Sequence, residues 1–258
     1  MKKDSYSDRL YKAICSQDTE AFDALLQEGG DVNSLRDEEQ IATTGIFRMA
    51  KSSMDLENVY PLQIACQKSP EMAYKLLAAG AKVDVVDAYL HSTPLIYALS
   101  SNQPDRFTLA SELLKRGADP GRIDDNKRVA INNAVHTLRT DSEETRQQSM
   151  ELLKELLAKT DMQDVIDNSA SNPLREAAKY GNCEAIEYLL SQEIIDIDLV
   201  TDGMTPLMIA VIGKNTQACK MLLEKGADPS IVSREGKTAY DYAKEYNNEE
   251  LLQVFAQK

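Results

Sequence analysis

Histidine is nearly absent. Only His91 and His136 occur in 258 residues, and neither stands in an H-E-x-x-H run or beside a cysteine pair. A zinc site or a hydrolase triad needs such groupings, so neither is expected. The four cysteines, Cys15, Cys66, Cys183 and Cys219, show no C-x-x-C or ligand-like spacing. They read as reduced thiols, most at small buried positions, of a cytosolic protein. There is no G-x-S-x-G elbow and no glycine-rich phosphate loop. No apolar run approaches a membrane span, and the charged N-terminal stretch lacks the apolar core of a signal peptide. Basic charge is scarce too: 29 Lys and Arg face 42 Asp and Glu, for a net charge of −13. That argues against nucleic acid or an anionic membrane as the main partner, while a basic protein is permitted. Acidic pairs such as Asp124-Asp125 fall in turns, where aspartate is favoured for backbone reasons.

What the chain does contain is periodic. The stretch 203–229, GMTPLMIAVIGKNTQACKMLLEKGADP, reads as two short helices folded back on each other. Thr205 can cap the first, with Pro206 at the first helical position, where a missing N–H costs nothing. Leu207, Ile209, Ala210 and Val211 give it an apolar face. Gly213 ends it, Asn215 can cap the second helix, and Met221, Leu222 and Leu223 form that helix's stripe. Gly226 is placed to close it in the left-handed region. Neither helix is long enough to be stable alone, so the unit needs neighbours.

The neighbours are in the sequence. The alanine of T-P-L-x-x-A can be followed as Ala13, Ala65, Ala98, Ala134, Ala177, Ala210 and Ala243. Three of the separations equal 33, and the other three exceed it by 19, 3 and 10. The motif, with its Leu-Leu helix and G-A-D-P turn, resembles the ankyrin repeat, whose pitch is about 33 residues. Met208 stands where that family has histidine. The expectation is an all-α fold: a single domain over 1–258, an ankyrin-type helical solenoid of about seven helix-pair units with short hairpin-like fingers. The units run over about 7–33, 56–86, 88–122, 124–165, 167–199, 200–232 and 233–258, with one long insertion, 34–58, after the first.

The departures matter as much. The insertion opens on Asp37, Glu38 and Glu39 and then carries Ile41, Ile46, Phe47, Met49 and Met54. It either folds back to shield the array or presents a binding surface. Shielding is favoured because an exposed Phe–Met cluster is a liability. In the fourth unit ten extra residues fall in 137–148, and Thr140-Asp-Ser-Glu143 reads as a capping box. The second helix there is expected from near Asp141 to Leu157, burying Met150, Leu153 and Leu157. In the fifth unit Gln192-Glu-Ile-Ile replaces the glycine turn, which predicts a less regular connection. The polar first and last units suit end caps.

No catalytic, cofactor or metal residues are assigned, and the protein is not expected to be an enzyme. The resemblance implies a non-catalytic protein-protein interaction module binding through a concave face built from finger tips and first-helix ends. Transferring offsets from the repeated alanine singles out Tyr89, Leu90, Arg128, Tyr180, Met204, Ile212, Arg234 and Tyr246, since aromatic residues and arginine tend to dominate interfaces. The expected partner is another protein, met by a cytoplasmic monomer, with neither nucleic acid nor membrane. One alternative is an inhibitor or immunity-type protein neutralising a basic toxin or enzyme. Another, of a different class, is an enzyme or small-ligand binder built around 34–58.

Overall fold

The first turns show why the helices start where they do. In the computed structural model, which describes residues 4–35, 59–135, 142–168 and 172–256, Thr93, Asn172, Thr205 and Thr238 each accept a hydrogen bond from the N–H three residues on. Pro61, Pro94, Pro173 and Pro206 open their helices. Tyr60 and Val129 make no such side-chain cap; at the first, Gln63 Oε1 instead accepts the Tyr60 N–H at 2.8 Å.

Helix pairs follow in order. Up to residue 126 come α1 (Tyr6–Ser16) and α2 (Thr19–Glu28), α3 (Pro61–Lys68) and α4 (Pro70–Ala78), α5 (Pro94–Leu99) and α6 (Arg106–Lys115). After it come α7 (Ala130–Ala134) and α8 (Glu143–Lys159), a short extra helix α9 (Met162–Asn168), then α10 (Pro173–Tyr180) and α11 (Cys183–Ser191). The last are α12 (Pro206–Ile212) and α13 (Thr216–Glu224), α14 (Ala239–Glu245) and α15 (Glu249–Ala256). The described residues contain no strand, only isolated bridge residues, among them the antiparallel pair Thr201 and Met204. Contacts divide the chain into two compact halves, 1–126 and 127–258. In the N-terminal half α1 packs on α3 and α3 on α5; in the C-terminal half α7 packs on α10, α10 on α12 and α12 on α14.

The seven periodic alanines are all buried, none more than 4% exposed. A methyl group at each helix contact lets neighbouring axes approach closely. Around them Leu62, Leu95, Leu174 and Leu207 are at most 1% exposed, each worth about 1.5–3 kcal/mol of burial. Helices this short derive their stability from that packing rather than from propensity.

Polar links tie successive pairs within each half. Side-chain amides reach the last carbonyls of the preceding first helix: Gln103 to Lys68 O at 3.1 Å, Asn182 to Val135 O at 3.1 Å, and Asn215 to Lys179 O at 2.6 Å and Ala178 O at 3.1 Å. At the other end of the units, Asn33 accepts the Lys82 N–H and Asp84 the Asp119 N–H, both at 2.8 Å. Asn215 therefore does not cap α13, as its sequence position suggests; its side chain makes no cap bond and faces the previous pair instead.

Other expectations shift by a residue or two. Helix α8 begins at Glu143, with Ser142 as its cap, and Thr140 lies outside the described residues. Starting there turns the helix so that Ser149, Met150, Leu152, Leu153 and Leu156 are buried, while Leu157 is only half-buried. On α13 the stripe is Ala218, Cys219, Leu222 and Leu223, with Met221 half-buried. Helix α9 had no expectation behind it; Asp161 starts it by accepting the Gln163 N–H at 3.0 Å, and Val165 anchors it at 0% exposure. Residues 36–58 lie outside the described set, and with them both readings of the insertion. Of the thiols, Cys66 and Cys219 are buried, Cys183 is half-buried and Cys15 is exposed. Burial pushes the Cys66 thiol far above its usual range and Cys219 up to about 12.

A left-handed residue follows α2, α4, α6 and α13, namely Gly29, Gly80, Gly117 and Gly226, with φ of 72°, 89°, 94° and 101°, whereas α8 ends on extended Thr160. Glu193 takes this place after α11 with φ 56°, so the backbone there follows its neighbours more closely than the missing glycine predicts. A side chain in this region costs about 1 kcal/mol or more. Glu193→Gly should therefore stabilise by about 0.5–1 kcal/mol. Gly226→Val should destabilise by more than about 1 kcal/mol; a Cβ there meets nothing within 4 Å, so the cost is backbone strain alone. Chemical denaturation of the two variants checks this, and equal midpoints would remove this account of the turn.

Candidate functional site

Where they are described, the loops between pairs lead into a short finger ahead of the next first helix. Seven residues before the periodic alanine the backbone is left-handed at His91, Lys127, Gly203 and Gly236, with φ of 52°, 61°, 77° and 73°. That single conformation reverses the chain and sets up the tip.

In the N-terminal half the finger is residues 87–92. Asp87 is 1% exposed. Its Oδ1 accepts the N–H groups of Tyr89 and Leu90 at 2.9 and 2.7 Å, and its Oδ2 that of Ser92 at 2.9 Å. Buried Gln63 donates to Ser92 O at 2.6 Å, and the Ser92 hydroxyl to Asp124 Oδ2 at 2.8 Å. The next turn is bonded on as well: the Asp125 N–H donates to Leu90 O at 2.8 Å, and the Asp125 carboxylate lies 2.8 Å from His91 Nδ1. Tyr89 stands at the tip, 62% exposed, and Leu90 beside it is half-buried.

In the C-terminal half Thr201 and Met204 exchange both main-chain bonds, at 3.0 and 3.2 Å, around Asp202-Gly203. Both central residues have positive φ, 53° and 77°, which is the two-residue hairpin turn that matches strand twist. The Arg234 N–H donates to Gly203 O at 3.1 Å, and the Arg234 guanidinium lies 3.9 Å from Asp202. A Cβ on Gly203 would come within 3.0 Å of Arg234, so the glycine also lets adjacent fingers touch. Lys237 pairs with Glu245 at 2.8 Å and Glu235 at 3.3 Å. The hydrogen bonds it donates to these two carboxylates push the pKa of its ammonium up to about 12.

The residues singled out by offset thus fall into three groups. Tyr89 and Leu90 share one finger of the N-terminal half. Met204 and Arg234 sit on two bonded fingers of the C-terminal half, where Arg128 is half-buried ahead of α7. Tyr180 and Ile212 end α10 and α12 and Tyr246 follows α14, so three consecutively packed helices bring them to one side. Lys179 Nζ lies 5.0 Å from the Tyr180 ring centre, and Tyr246 is 43% exposed. Offset transfer missed Asp87, Gln63 and Asp124, the buried groups that hold the first finger. The signal for Asp87 was present: an aspartate whose side chain can accept from its own backbone two and three residues on, in a run too short for a helix.

Among the described residues no group of His, Cys, Asp or Glu is placed to hold a metal ion. None of the described helices is long and apolar enough to cross a membrane. An open groove of about 400 Å³ lies between α1 and α2, floored by Ala13, Ala21, Ala24 and Leu25. Its charged rim is paired internally, as Arg9 with Glu28 at 2.7 Å and Lys12 with Asp4.

Comparison with known proteins gives a consistent picture. A family model for ankyrin repeats, three copies long, matches residues 143–233 and 174–258. The chain is 27% identical over 206 residues to ZDHHC13 of Danio rerio, a protein named for palmitoyl transfer, covering 78% of this chain and 30% of that one. It is 27% identical over 177 residues to the ankyrin repeat protein nuc-2 of Neurospora crassa, covering 63% and 15% respectively. It thus spans less than a third of either relative. The crystal structure of the human ASB11 ankyrin repeat domain superposes with a TM-score of 0.67 over 96% of both chains at 21% identity, a likeness of fold.

Proposed function

Because the chain is an ankyrin repeat protein, we propose that it is a non-catalytic scaffold that grips another protein with its finger tips and first-helix ends. Ankyrin repeats are in general protein-protein interaction modules. The observation that carries the reading here is how the fingers are built. Their main chains are held by side chains and by neighbouring fingers, while the tips hold side chains the fold leaves in water: Tyr89 at 62% exposure and the Arg234 side chain at 78%. A fixed backbone loses little entropy when a partner arrives, so more of the contact energy survives as affinity. The protein is read as a cytoplasmic monomer, and its net charge of −13 disfavours nucleic acid and anionic membranes as ligands.

A pull-down from the source cell, followed by titration of the purified partner, tests this. Two variants are compared with wild type: Tyr89→Ser in the N-terminal half, and Arg234→Ala with Tyr246→Ala in the C-terminal half. At least one should weaken the partner by about tenfold or more, since truncating a central aromatic or arginine anchor costs about 2 kcal/mol. The Tm should not move. A partner held equally by all three proteins would place the binding surface elsewhere.

A further inference from the structure

Finger 87–92 is held more firmly than a turn requires. A carboxylate at 1% exposure accepts three main-chain N–H groups, a glutamine at 0% exposure bonds its far end, and the adjoining turn is bonded to Leu90. What all this immobilises is Tyr89, whose ring has no hydrogen bond, ion or ring contact among the described residues. Such order lowers the conformational entropy lost when something is laid against the ring.

The electrostatic setting narrows what that something is. From Val83 through Asp105 the chain has no lysine or arginine, while Asp84 and Asp87 lie in that stretch. Asp124 is joined to the finger through Ser92, and Asp125 through Leu90 and His91. The finger carries an exposed ring, and the turn bonded to it carries the Asp125 carboxylate, which stays 59% exposed although it also meets His91 Nδ1. With Asp87 and Asp124 bonded into the same network, the two suit a cation. A guanidinium fits better than an ammonium, because it is planar, weakly hydrated, stacks on rings and offers several donors to a carboxylate.

We propose that this finger is a socket for an arginine on a basic segment of the partner protein, stacked on Tyr89 and hydrogen-bonded to Asp125. The proposal rests on the protein-binding reading above and names the chemistry of one contact in it. The arginine enters from outside, and the finger meets it with little rearrangement.

The test uses the full chain and three labelled octapeptides in which glycine alternates with arginine, lysine or citrulline, followed by fluorescence anisotropy at low salt. The arginine peptide should bind about fivefold or more tighter than the lysine peptide, and the neutral citrulline peptide least. Tyr89→Ser and Asp125→Asn should each weaken it by about fivefold or more, Tyr89→Phe should leave it within about twofold, and all three should melt with wild type. Glu143→Gln combined with Glu144→Gln, two exposed carboxylates on α8 that are not part of the socket, removes more charge and should change affinity by less than about twofold. Equal binding of the arginine and lysine peptides, indifference to Tyr89→Ser, or an equal loss from the α8 pair would each overturn the socket, the last meaning bulk charge attraction only. If the cellular partner survives Tyr89→Ser but is lost with Arg234→Ala and Tyr246→Ala, the socket falls and the protein-binding reading stands.

Discussion

Asp87→Ala should lower the unfolding free energy by about 3 kcal/mol and release the finger it organises. The substitution removes the acceptor for three N–H groups at once. Those of Tyr89 and Leu90 lie near the exposed tip and can turn partly to water. Ser92 is 0% exposed, so its donor is left unsatisfied, and that term alone costs about 1–3 kcal/mol. Asp87→Asn should cost less: its remaining oxygen can still serve two donors, but its amino group faces the Ser92 N–H. Denaturation of both variants gives the stabilities, and amide hydrogen exchange at residues 89, 90 and 92 reports the loop. Exchange at these three should rise well above that of the α5 amides, and binding that depends on Tyr89 should weaken although no contact residue has changed. A loss below about 1 kcal/mol with exchange unaltered would mean that the finger is held by other bonds.

The contrast between Thr205 and Asp87 explains what could be read ahead of the coordinates. Thr205, Pro206 and Gly226 act within four residues of themselves, through a hydroxyl, a locked φ and a permitted left-handed turn, so local rules placed them correctly. The periodic alanines were equally legible, because stacking identical pairs demands the same small contact in each. Asp87 was not legible in the same way. Its value depends on a loop closing around it and on Gln63 and Asp124, which lie 24 residues before and 37 after it. Leu156 rather than Leu157 is buried because the phase of a helix is fixed by its starting residue, and Ser142 caps α8. At the candidate site the period carried Tyr89 and Arg234 to finger tips, since position in a repeat transfers from unit to unit. It could not say which tips are rigid, because that is decided by the side chains that differ between units.

Asn215→Asp should destabilise by about 2–3 kcal/mol, a large effect for an exchange that keeps the shape of the side chain. The Asn215 amide donates to Lys179 O at 2.6 Å and Ala178 O at 3.1 Å, carbonyls of the last turn of α10, the second of which also accepts the Gly181 N–H at 3.3 Å. The site is tight: a Cβ added to Gly181 would lie 2.8 Å from Asn215 Oδ1, and one on Gly213 would lie 2.7 Å from Asn215 Nδ2. A carboxylate there offers no donor and sets negative charge against two carbonyl oxygens, so both bonds are lost and repulsion is added. Protonation restores a donor, so the introduced group has a raised folded-state pKa. Its penalty is therefore full at neutral pH and shrinks as the pH falls through that pKa. Asp18 provides the control, because it holds the same place in the first pair, where α1 and α2 have no described pair before them. There the side chain only caps α2, accepting the Ala21 N–H at 3.0 Å, and aspartate and asparagine are nearly equal at a cap. Asp18→Asn should accordingly change stability by less than about 0.5 kcal/mol. If urea denaturation finds the two exchanges equally costly, the amide at 215 is a cap after all, and the bond between neighbouring pairs contributes nothing of its own.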